Sequence, residues 1–205
     1  HHFFKGSFAN SVPHFEKQWK LFKDHAHLKE SQTMMYIRCI GNFSLLNIKL
    51  GNQPATQSGL EQLKKIRNSL SSHQQYIDYL IYMLTLMKLV KQGSYKKATE
   101  YIENNSNTLI NLDSEPFEEW YLEWVYVSFN SVAAYMGTVD YRMALKHLNH
   151  FLNTADPNLK QDVYCIGRVL NLLIHFELDN QDLLEYILES THRYLKGKKR
   201  LFGFC

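Results

Sequence analysis

Arg168, Asn171 and His175 fall at i, i+3 and i+7 of Val163 to Leu178, a segment that is otherwise largely apolar. A helix over that segment brings all three to one face. A guanidinium, an amide and an imidazole in one stripe can hold a carboxylate or a peptide backbone, and they are costly to bury unless paired. Two arrangements meet that cost. In the first, Glu185 or Glu189 of the returning segment pairs with Arg168 inside the fold. In the second, the stripe is the polar floor of a site for a peptide or small ligand.

The remaining chemistry-bearing residues form no constellation. His147 and His150 are spaced i, i+3 and His25 and His27 i, i+2, but there is no H-E-x-x-H and no cysteine pair beside them, so no metal site is expected. There is no G-x-S-x-G elbow and no glycine-rich phosphate loop. The sequence therefore predicts neither an enzyme nor a bound cofactor. The run Lys196-Gly197-Lys198-Lys199-Arg200 lacks the interleaved aromatic rings of a single-strand platform, and cations at a helix end are stabilised by its dipole.

The formal net charge of +3 over 205 residues is too small to imply a nucleic-acid or anionic-membrane partner. Three distant cysteines, Cys39, Cys165 and Cys205, suggest neither a disulfide framework nor zinc, and a reducing cytoplasm fits them. The most apolar run, Ile81 to Val90, is about half of what spans a bilayer. No secretory signal is visible at the N-terminus.

The elements that must position these residues are helices. With 45% hydrophobic residues and only nine Gly and four Pro, the composition is that of a folded helical chain with almost no strand. Phe3 to Val12 reads as an irregular aromatic arm and Phe15 to Glu30 as a short amphipathic helix, together an N-terminal section over residues 1–30. From residue 31 the pattern becomes regular, giving helix hairpins over 31–72, 73–112, 113–155 and 156–200. In the third hairpin Asp113 or Ser114 can cap the entering helix, with Pro116 in its first turn and Glu118 and Glu119 at its positive end. The fourth opens at Asp156-Pro157. The turn points Gly51, Gly93, Gly137 and Asp179 are spaced by 42, 44 and 42 residues. A steady period of this size marks stacked hairpins, each covering its neighbour's apolar face.

The turn Lys91-Gln92-Gly93-Ser94-Tyr95-Lys96-Lys97-Ala98 resembles that of a tetratricopeptide repeat, and Met136 to Ala144 is a looser copy with two extra residues. The fourth turn departs further, with Asp179 in place of Gly and Leu184 in place of Ala, and the period exceeds the roughly 34 residues of the standard repeat. The resemblance implies an all-α, right-handed superhelix of antiparallel hairpins. Carried over from each turn, it places Leu80, Met83 and Met87, then Trp124, Val127, Ser131 and Tyr135, on a concave groove suited to an apolar peptide. The final quarter, Tyr164 to Leu195, is also similar to the C-terminal segment of large uncharacterised bacterial tetratricopeptide-like proteins. That likeness implies a longer parent protein, with the helical pattern beginning at Leu201-Phe202 cut short at Cys205. The expected function is a noncatalytic scaffold binding a protein or peptide segment. The alternative is a peptide- or ligand-sensing domain acting on an N-terminal effector domain. Uncovered end hairpins also lead us to expect self-association.

Overall fold

The fold is known from a computed structural model, which describes residues 8–25, 27–105, 120–156 and 161–197. Among these residues the chain is all-helical, without strands. It divides into two units, His1–Gln92 and Gly93–Cys205. The boundary falls in the turn of the second expected hairpin.

The first unit holds α1 (Phe8–Asp24), α2 (His27–Ser31), α3 (Thr33–Leu50), α4 (Gln53–Arg67) and α5 (Gln74–Lys91). Phe8 to Val12, expected to be irregular, is helical. Pro13 falls in the second turn of α1, where losing one backbone hydrogen bond does not end the helix. The helix expected from Phe15 to Glu30 is interrupted at His25. Phe3 and Phe4 lie outside the described residues.

α3 and α4 form an antiparallel hairpin because the chain between them can reverse within two residues. Gly51 takes a left-handed φ of 73°, which only glycine adopts without a Cβ penalty, and Asn52 donates its backbone N–H to the Asn47 carbonyl at 2.9 Å. The Asn52 side chain then accepts from the Ala55 amide at 3.3 Å, and Pro54 sits in the first turn of α4. α5 packs on both helices, while α1 and α2 pack on α3. Ile37, Ile40, Leu63, Ile77, Leu80 and Leu84 are fully buried, each burial contributing roughly 1.5–3 kcal/mol before entropy costs. Gly59 brings α4 hard against α3: a Cβ there would lie 2.0 Å from Ser44 Oγ and 3.2 Å from Ser44 Cβ. Arg67 at the end of α4 grips Asp78 of α5 with both nitrogens of a fork, Nη2 donating to Oδ2 at 2.8 Å.

The second unit holds α6 (Tyr95–Asn104), α7 (Tyr121–Gly137), α8 (Tyr141–Thr154), α9 (Gln161–Glu177) and α10 (Gln181–Gly197). Each of these described helices packs on the next one given. Ala98 and Ala144, the small residues expected at close crossings, are fully buried. Asp140 caps α8 by accepting from the Met143 amide at 3.0 Å. Two turn residues other than glycine have left-handed φ, Asp179 at 56° and Val139 at 63°. Asp tolerates that conformation, whereas a β-branched valine is strained in it. Residues 113–119, where a capped helix start was expected, Pro157 and the basic run beyond Gly197 lie outside the described residues.

Candidate functional site

The polar stripe of α9 is turned toward α10. Arg168 Nη2 donates to Ser190 Oγ at 2.7 Å, and its guanidinium lies over the Tyr194 ring, 5.2 Å from the centroid. Glu185 and Glu189, the expected partners, are exposed instead. The physical reason is register: Ser190 and Tyr194, four residues apart, share the face of α10 that meets α9, whereas the carboxylates lie toward water. At the other end of the stripe Asn180 Nδ2 donates to His175 Nδ1 at 3.0 Å, which leaves the imidazole proton on Nε2. Burial lowers the His175 pKa and so favours that neutral ring. Asn171 Oδ1 and Arg168 Nε are buried without a hydrogen-bond partner among the described residues. Arg168 thus ties α9 to α10 and His175 is held by Asn180 of the connecting turn.

The seven residues expected on a groove lie in the interior. Leu80, Met83 and Met87 of α5, and Trp124, Val127, Ser131 and Tyr135 of α7, are all buried, none more than 7% exposed. Trp124 stacks on Phe151 of α8 with centroids 5.3 Å apart, and Tyr135 on His147 at 5.1 Å. These contacts fix Trp124 and Tyr135 of α7 against α8, and the burial of all seven side chains sets them inside the packing where the repeat numbering placed them on a ligand surface. The paired histidines behave similarly: His150 sits edge-on to Trp124 and His25 edge-on to His27. Among the described residues no group of three or more His, Cys, Asp or Glu could hold a metal ion. No described helix is long and apolar enough to cross a membrane.

A different surface is open. Ile166, Val169, Leu173 and Phe176 of α9 are 43%, 40%, 43% and 67% exposed. Their spacing of i, i+3, i+7 and i+10 makes one continuous stripe, about 15 Å long at the helical rise. Asp162 and Glu177, both exposed, share that face and bound the stripe at either end. Leu183, Tyr186 and Leu188 of α10 are exposed as well, at 50%, 68% and 55%. Isolated exposed apolar residues are ordinary, but a contiguous row is the form taken by docking surfaces. Sequence reasoning missed this row although its periodicity was visible. Apolar helical spacing shows that residues share a face without showing what that face meets.

No protein-family model, curated protein or solved structure matches the chain.

Proposed function

We propose that the chain is a noncatalytic, tetratricopeptide-like repeat scaffold, a right-handed stack of hairpins that binds a protein segment on its α9–α10 hairpin. The exposed stripe of Ile166, Val169, Leu173 and Phe176 carries this reading. The mutual packing of α3, α4 and α5 in the first unit, and of each described helix of the second unit on the next, supports the repeat assignment. The partner is an amphipathic helix laid along α9. Its anchors repeat at i, i+3 or i+4 and i+7 to meet the stripe.

The test places a photo-crosslinking side chain at position 169, on the same stripe, in the native host and maps the captured peptide. The expected product is an amphipathic helix. It disappears in a Leu173→Asp, Phe176→Asp variant whose melting temperature falls only slightly, because Phe176 is mostly in water and Leu173 is close to half exposed. Capture that survives this double substitution, or a captured segment without helical periodicity, refutes the assignment.

A further inference from the structure

The first unit contains a cavity of about 330 Å³ where α1 and α2 meet the α3–α4 hairpin. Trp19, Phe22 and Tyr36 supply aromatic walls, Lys23 and Lys29 supply two ammonium groups, and Ser58 and Gln62 complete the lining. No carboxylate is among the described residues that line it. The volume lies at the lower end of the roughly 300–1,000 Å³ typical of small-ligand sites, room for one residue-sized group.

The walls are held firmly. Trp19 stacks on Phe43 with centroids 5.0 Å apart, and Phe22, itself buried, leans on Tyr36 at 5.3 Å. Lys29 Nζ sits 5.6 Å from the centre of the Tyr36 ring. Gln62 Nε2 donates to the Tyr36 hydroxyl at 2.9 Å. That bond uses the phenol oxygen as acceptor and leaves its proton to donate. Burial raises the Tyr36 pKa, which keeps the proton in place.

Two ammonium groups, a phenol proton and the Ser58 hydroxyl therefore surround an aromatic slot with no opposing negative charge. This combination repels cations and rewards an anion with a flat apolar body. No arginine lines the site, so the planar fork that recognises phosphate is missing, while a singly charged carboxylate is matched by point-charge lysines and a hydroxyl donor.

We infer that this cavity binds the carboxylate of a compact aryl acid, supplied either as a free molecule or as the C-terminal aromatic residue of a peptide. The site lies in the first unit and stands independently of the docking stripe on α9.

Calorimetric titration of the 205-residue chain with N-acetylphenylalanine, phenylacetate and N-acetylphenylalanine amide tests the inference. At least one acid binds, and it binds at least tenfold tighter than the uncharged amide, by a margin that shrinks as salt is raised. The preferred source is read directly: N-acetylphenylalanine binding tighter points to a peptide terminus, phenylacetate binding tighter to a free aryl acid. Lys23→Gln with Lys29→Gln lowers the acid's affinity at least tenfold with an unchanged circular dichroism spectrum. Failure of both acids to bind, equal binding of acid and amide, or full affinity in the double variant overturns the inference. The acid–amide comparison uses the unaltered chain and stays decisive if the variant folds poorly. Phe176→Asp leaves these affinities unchanged, so the two sites fail or succeed separately.

Discussion

Replacing Gly59 with alanine sets helix propensity against packing, and the structure says which wins. Gly59 lies inside α4, where alanine is intrinsically better by about 1 kcal/mol. The new Cβ would, however, stand 2.0 Å from Ser44 Oγ and 3.2 Å from Ser44 Cβ. Ser44 is fully buried and its hydroxyl donates to the Ile40 carbonyl at 2.8 Å, so it escapes only by breaking that bond or pushing α3 aside. Overpacking of this kind costs roughly 1–3 kcal/mol, and a buried hydroxyl without its acceptor about 1–3 kcal/mol. The two costs are alternatives more than addends. After the propensity gain, a net loss of about 1–2 kcal/mol is expected.

The discriminating measurement is a double-mutant cycle in urea. Ser44→Ala alone is nearly neutral, because the Ile40 carbonyl lies in the helical ladder of α3 and does not depend on the hydroxyl. Combined with Gly59→Ala it removes the 2.0 Å contact and leaves only the 3.2 Å one, so most of the loss is recovered. The expected coupling is about 1–2 kcal/mol, favourable to the double variant. A Gly59→Ala protein that is more stable than the parent, with no coupling to position 44, would falsify the close α3–α4 crossing.

Val139 is 69% exposed and holds φ at 63°, so Val139→Gly relieves strain without removing a packed side chain. A gain of about 1 kcal/mol, less the flexibility glycine adds to the unfolded chain, is expected in the same urea assay. On the alkaline side, burial pushes the Cys39 thiol up to about 11 and the Tyr126 phenol up to about 12. Both groups ionise more readily when unfolded, so their contribution is complete below about pH 9 and is lost as pH rises toward those values. The urea midpoint should fall across that window, and a flat profile to pH 11 contradicts the burial of both groups. On the acid side the lowered His175 pKa gives stability that is present above the ordinary imidazole range and lost as pH falls through the folded value. His175→Gln should flatten that limb, whereas an unaltered acid profile places the titrating group elsewhere.

The turn chemistry was the most legible part of the sequence. Gly51 with Asn52 and Pro54, and Asp140 ahead of Tyr141, announce reversals through conformations and caps that depend on neighbouring residues alone. Helix ends were less so: the helix expected from Thr56 begins at Gln53, and that expected from Phe15 begins at Phe8. The candidate site was hardest to read because it depends on tertiary direction. Met83, Trp124 and Tyr135 have groove-like chemistry and lie in the interior, while Leu173 and Phe176 have core-like chemistry and lie in water. Arg168 carried a clearer signal, since a charge on an apolar helix needs a partner. The identity of that partner, Ser190 with Tyr194, was set by a register that spacing along one helix does not encode.

Each unit conceals one sulfhydryl among its described residues, Cys39 in α3 and Cys165 in α9, with 0% and 1% of their surface exposed. Neither can meet an alkylating reagent until its surroundings open, so each acts as a chemical clock for its own half of the chain. With Cys205 replaced by serine, pulsed alkylation followed by peptide mass spectrometry would time the two openings separately. Matching rates at every denaturant concentration would mean that the halves come apart as a single cooperative block, and diverging rates that one yields first.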